Sequence, residues 1–215
     1  MSAPLNTAIQ RMLRDAYVSR QVLPQCPDIQ LWLVDPAPMQ RPFSQAEILA
    51  IQDYPAYWAF CWASGQVLAR EILAHPEWVR GKKVMDFGAG SGVVAVACAM
   101  AGAKEVIACD IDPDAALACA ANAELNGVHY RFHDDVFTFD EPLDLLIAAD
   151  VLYDRANLPL LKVFRDKAAQ VLVADSRIRD FHFPPYHASS QHDSCTIPDL
   201  DELDEFRRVQ LYWAG

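Results

Sequence analysis

A chain of 215 residues with 53% hydrophobic side chains is long enough for one buried core and too apolar for disorder. Its net charge of −11 argues against nucleic acid, which needs clustered Lys and Arg, and mildly favours a basic or neutral protein target. No apolar run approaches the roughly 20 residues that span a bilayer, and the N-terminus lacks the ~7–15-residue apolar stretch of a signal peptide. A cytoplasmic protein with no membrane partner is therefore expected. The six cysteines contain no CxxC pair and read as reduced, buried small side chains.

Residues 1–55 contain no glycine and are rich in proline, and they read as an extension packing on the core formed by 56–215. The pattern predicts a helix over Thr7–Arg20, a short strand over Ile29–Val34 and a short helix over Ser44–Gln52. Ser44 with Glu47 three residues on is a capping box. From Lys83 onward strands and helices alternate: KKVMDF, then GVVAVACAMA as a helix, then EVIACDI. The helix DPDAALACAANAELNG follows, with Asp112 as N-cap, Pro113 in the first turn and Gly127 as the stop. Next come HYRFHDD, LDLLIAAD, a helix over Leu158–Ala169 and QVLVADS. Short continuous apolar strands between helices mean an α/β, doubly wound, mostly parallel sheet covered on both faces. The tail from Ser189 to Trp213 is expected to add one or two antiparallel edge strands.

In such a sheet, ligands bind beyond the carboxyl ends of the strands. The first strand there ends in Gly88-Ala89-Gly90-Ser91-Gly92, preceded by Asp86. A dinucleotide fingerprint needs a glycine where Val93 stands, and no GxxxxGK[ST] is present, so both phosphate-binding loops are excluded. The second strand ends in Asp110, suited to two ribose hydroxyls, and the third in Asp134-Asp135, placed to meet an adenine amino group. Acidic residues at successive strand ends beside GxGxG point to a nucleoside.

VMDFGAGSG, IACDIDP, FHDDVF and LDLLIAADVLYD resemble, in order and spacing, the motifs of class I S-adenosylmethionine-dependent methyltransferases. YWAFCWASGQVLAREIL and CPDIQLWLV narrow the resemblance to the electron-transfer-flavoprotein β-subunit lysine methyltransferase group. That group belongs to the seven-β-strand methyltransferases with a (D/E)-x-x-(Y/F) signature, here Asp150-Val151-Leu152-Tyr153. The resemblance implies a Rossmann-like seven-stranded sheet with a short N-terminal helical extension, S-adenosyl-L-methionine as cofactor and S-adenosyl-L-homocysteine as product. It implies cofactor contacts from Asp86, Gly88, Ala89, Gly90, Gly92, Asp110, Ile111, Asp135, Val136 and Asp150. Asp150 and Tyr153 are the implied catalytic pair, with Tyr153 one helical turn beyond Asp150 and packing on a lysine stem. After strand five the group's GDPGR-like turn is replaced by Ala174-Asp175-Ser176-Arg177, which leaves the substrate open.

Trp58 and Trp62, four apart on an expected helix, form either an aromatic wall over the cofactor or ordinary packing. Gly65 and Gln66 on the next turn are expected at the cofactor's methionine end, from the resemblance. His182, His187, His192 and Cys195 match no tight zinc spacing, so no metal is expected. The acidic run from Asp199 to Glu205 reads as a solvated connection or as an attractor of a lysine-rich partner. The expected activity is methyl transfer to a lysine on a protein, with the electron transfer flavoprotein β-subunit as the family's example. The alternatives are small-molecule N-methylation and a cofactor-binding module without turnover. An open acidic groove beside Asp150 favours protein; a closed aromatic pocket favours a small molecule.

Overall fold

The computed structural model describes residues 2–178, 181–199 and 201–215. The N-terminal part contains α1 (Ala3–Ile9), an antiparallel hairpin of β1 (Val18–Leu23) and β2 (Cys26–Val34), and α2 (Gln45–Asp53). The predicted helix over Thr7–Arg20 is thus wrong beyond Ile9. Val18 and Leu23 are buried at the two ends of β1, and ladder pairing with β2 overrides the helical pattern at Val18–Arg20, while residues 10–17 form turns and irregular chain. The Ser44–Glu47 capping box forms at the start of α2.

After α3 (Ala63–Ala74) the chain alternates through β3 (Lys83–Phe87), α4 (Val93–Met100), β4 (Glu105–Cys109), α5 (Pro113–Leu125), β5 (Arg131–His133), β6 (Leu143–Ala149), α6 (Leu160–Lys167) and β7 (Ala168–Asp175). It ends with β8 (His187–Asp193) and β9 (Arg208–Ala214). These strands form one seven-stranded sheet in the order β5-β4-β3-β6-β7-β9-β8. Pairing is parallel from β5 to β7 and antiparallel for β9 against both β7 and β8. The antiparallel tail is as read from the sequence, although β9 lies inside the sheet and only β8 is at its edge.

Strand residues divide strictly by face. Val84, Val106, Leu145 and Leu172 join the core beneath α3, α4 and the β1–β2 hairpin. Met85, Ile107, Leu146 and Val171 join the opposite core with Leu161 and Phe164 of α6. Strand order reverses between β3 and β6, so the crevice for a ligand opens at the carboxyl ends of these two strands. Among the described residues, no helix is long and apolar enough to cross a membrane.

The acidic run near the C-terminus is, as expected, a solvated connection into β9: Asp199, Asp201, Leu203, Asp204 and Glu205 are exposed, and Glu202 is half-buried. Glu202 pairs with Arg177 and accepts from Thr196 Oγ1 at 2.5 Å, while Asp199 pairs with Arg207 at 3.1 Å. Leu200 lies outside the described residues.

Candidate functional site

The glycine loop is shaped by strand and helix neighbours on both sides. Gly88 and Ala89 N–H donate to Cys109 O at 2.8 and 3.1 Å, and Asn122 Nδ2 of α5 donates to Ser91 O at 2.8 Å. Gly92 is the N-cap of α4. A Cβ on Gly88 would stand 2.8 Å from Val151 Cγ1, so the loop and the Asp150–Tyr153 segment touch and belong to one site.

Asp110 reaches over the loop: Oδ2 accepts from Gly90 N at 2.8 Å and Oδ1 from Asp112 N at 3.0 Å. Burial raises its carboxyl above the usual range, and these two N–H donors oppose the shift. Two bonds leave lone pairs for ribose hydroxyls. Asp110→Ala is expected to weaken cofactor binding by about tenfold or more, because a charged acceptor and the anchor of Gly90 are both lost. An unaltered dissociation constant in calorimetry would count against the ribose role.

Asp86 lies behind the loop instead of in it. It is 2% exposed and accepts from Ala95 N at 2.9 Å, so it caps α4 from within the core. Burial pushes its carboxyl up to about 7. The folded state therefore holds a proton that the unfolded chain releases. The associated stability is complete below the unfolded value near 3.8 and is lost as pH rises to about 7. Asp86→Asn keeps the acceptor for Ala95 N–H and carries no charge. Denaturant titrations should show equal stability at about pH 4 and the variant ahead by about 2–4 kcal/mol at pH 8. A wild type equally stable at both ends of that comparison would show that Asp86 is ionised throughout.

Asp135 caps a short 3₁₀ turn by accepting from Phe137 N at 2.8 Å, and Asp134 is exposed. Val136 is 3% exposed, whereas Ile111 and Phe137 leave 84% and 62% of their surface open at the ends of β4 and β5. Phe137 was not singled out by sequence; an aromatic side chain next to the third acidic strand end was its only signal.

Trp58 and Trp62 do not share a helix. Tyr57–Ala59 is a 3₁₀ turn, Phe60 is extended, and α3 begins at Ala63. Trp58 is 1% exposed, and its Nε1 is the one buried side-chain polar atom without a partner among the described residues. Its Cα would lie 3.8 Å from a Cβ on Gly90. Trp62 instead joins Tyr57, Phe60 and Tyr153 in an aromatic cluster with ring centroids 5.5–5.8 Å apart.

Gln66 is not at a cofactor end. Its fully buried amide accepts from Gln25 N at 3.1 Å and donates to Cys195 O at 3.0 Å, tying the β1–β2 turn to the chain after β8. Gly65 serves packing between helices, since a Cβ there would stand 2.9 Å from Val93 Cγ1. Small and polar residues on that helix served its buried face, which pattern alone could not separate from ligand contact.

Asp150 is held at four points at the start of α3 and the end of β7. Oδ1 accepts from Ser64 Oγ at 2.7 Å and from Ser176 N and Oγ at 3.0 and 2.8 Å, and Oδ2 from Ser64 N at 2.9 Å. Its φ is +50°, and residues 151–153 are not helical, so Tyr153 is not one helical turn away. Nor is Tyr153 core: it is 58% exposed, over Tyr57. Behind the pair, Asp175 is 2% exposed and accepts from Leu152, Arg177 and Ile178 N–H groups at 3.2, 2.7 and 2.7 Å. Burial and the neighbouring charge of Asp150 raise its carboxyl to about 6. Ser64, Ser176 and Asp175 were missed; Asp175 stands where the group's GDPGR-like turn has its aspartate.

The residues present fit a nucleoside with a cationic tail. Asp110 supplies an anion, Ile111 and Phe137 supply open apolar faces, and the orphaned Trp58 N–H stands beside the loop.

Residues 72–168 match the family model described as ribosomal protein L11 methyltransferase (PrmA). The electron transfer flavoprotein beta subunit lysine methyltransferase of Rattus norvegicus is 34% identical over 187 residues, which cover 83% of this chain and 72% of that protein. The Homo sapiens protein of the same name is 34% identical over 157 residues, covering 69% of this chain and 59% of that protein. Among solved structures, ribosomal protein L11 methylase from Lactobacillus delbrueckii subsp. bulgaricus aligns with a TM-score of 0.54 at 22% identity, covering 70% of this chain and 77% of that one. That last likeness is one of fold.

Proposed function

Because this chain belongs to the electron transfer flavoprotein beta subunit lysine methyltransferase family of S-adenosylmethionine-dependent enzymes, we propose that it methylates a lysine amine on a protein, at the crevice between the glycine loop and Asp150. The observation that carries the reading is the contact of Gly88 with Val151, which joins the cofactor loop to the Asp150–Tyr153 segment. An electron transfer flavoprotein β-subunit is the first substrate to try. All six cysteines are free, which fits the reducing, cytoplasmic compartment expected from the sequence.

When bound, the cofactor supplies an activated methyl on a sulfonium. Asp110 and the loop would hold its nucleoside, with Ile111, Val136 and Phe137 around the base. Asp150 is fixed by its four donors, and Oδ2 carries only one of them, so it keeps a lone pair to orient an incoming amine. A carboxylate alone favours the ammonium form of lysine, whose reference pKa is about 10.4. Tyr57, Trp62 and Tyr153 would oppose this once the substrate covers the exposed parts of their rings, since the water then excluded disfavours the charge and lowers the amine's pKa.

The test is methyl transfer from radiolabelled S-adenosylmethionine into the purified β-subunit and into host lysate, with the modified residue mapped by mass spectrometry. Label on a protein lysine supports the reading. Label confined to small molecules would overturn it in favour of a small amine acceptor.

A further inference from the structure

Beyond Tyr153 the crevice continues into a cavity of about 610 Å³ whose walls include Tyr153, Arg155, Arg177, Phe181, His182 and Phe183. Among the described residues this wall is not the acidic groove expected to mark a protein substrate. None of the described lining residues is acidic, in a chain of net charge −11. Arg177 is already engaged by Glu202, with its guanidinium 4.3 Å over the Phe206 ring and 5.9 Å from Trp62. Arg155 and His182 are exposed and have no hydrogen-bond or ion-pair partner among the described residues. Arg155 begins a 3₁₀ turn, Arg155–Asn157, that Asp154 caps through Ala156 N at 2.8 Å, so its backbone position is fixed.

An exposed, unpaired guanidinium on a fixed stretch of backbone beside an apolar wall matches a carboxylate bidentately, and the wall strengthens the attraction by lowering the local dielectric. A polyanion is a poorer match, because the acidic remainder of the surface repels its phosphates. Phe181, Phe183 and Tyr153 offer burial to a bulky neighbour of that carboxylate.

We propose that this cavity receives an Asp or Glu side chain of the substrate protein, with an adjacent apolar residue, a few positions from the methylated lysine, and that Arg155 is the specificity-determining contact. The proposal rests on the protein-lysine reading above.

The probe is a set of fluorescein-labelled lysine-centred peptides with one Glu moved along the chain, each with a Gln twin and a Lys twin. Binding is read by anisotropy and methylation by mass spectrometry on the same mixtures. At one position Glu should bind about tenfold tighter than Gln, since a charged hydrogen bond is replaced by a neutral one. The preference should weaken as salt is raised. Arg155→Ala should reduce it to about twofold or less, and Arg155→Glu should reverse it toward a Lys twin. Equal binding of Glu and Gln peptides at every position overturns the proposal. So does a preference that survives in Arg155→Ala of unchanged melting temperature. A preference that depends on Arg155 on peptides that gain no methyl group leaves the cavity assignment standing and sinks the protein-lysine reading.

Discussion

Asp150→Asn lowers the single-turnover rate of methyl transfer by about two to four orders of magnitude while leaving cofactor affinity within about threefold. Asparagine is the informative substitution because the backbone at Asp150 has φ +50°, a conformation that asparagine adopts readily. Its oxygen keeps the bonds from Ser176 and Ser64 Oγ, and only the contact with Ser64 N–H is lost. The charge that orients an amine disappears, while the anchor between α3 and β7 mostly stays. Asp150→Ala removes both, and the stranded Ser64 and Ser176 N–H groups add about 1–3 kcal/mol of instability each. Rate and stability measured on the pair separate chemistry from scaffolding. An Asn variant that transfers methyl at the wild-type rate would reduce Asp150 to a helix cap.

Gly90→Val abolishes cofactor binding with a smaller effect on the fold. Gly90 has φ +49°, where a β-branched residue costs about 1–2 kcal/mol. Its Cβ alone makes ordinary contacts, 3.8 Å from Trp58 Cα and 3.9 Å from Tyr57 O. The strain and the two methyls therefore act at the mouth of the loop, where the Gly90 N–H to Asp110 bond must also shift. Calorimetry with S-adenosylhomocysteine should show affinity down by about 100-fold or more, a loss of roughly 2.7 kcal/mol. Unchanged affinity would move the nucleoside away from this loop.

The shape of the glycine-loop half of the candidate site was legible because its determinants are local. GAGSG shapes its own loop, and Asp110 and Asp135 stand at strand ends that apolar runs announce. Asp112 capping α5 is equally local. The acceptor half was legible in part. Asp150 and Tyr153 were found by motif, but the groups that set their geometry come from Ser64, Ser176 and Asp175, which are distant in the chain and carry no spacing signal. Gln66 shows the converse error: a polar residue in a motif was read as a ligand contact, and tertiary structure gave it to Gln25 and Cys195. Val18–Arg20 failed for a related reason, since their pairing partners, Val34, Leu33 and Trp32, lie beyond the reach of a local pattern.

The fully buried amide of Asn122 has one more consequence. Its Nδ2 holds Ser91 O in the glycine loop, while its Oδ1 accepts from Trp32 N of β2 at 2.7 Å. One rigid side chain thus acts as a crossbar between the cofactor cradle and the N-terminal hairpin. Neither can tilt without pulling on the other, so the hairpin works as a lever on the cradle. Drift in a segment that touches no reactant is then felt as a change in grip on the cofactor.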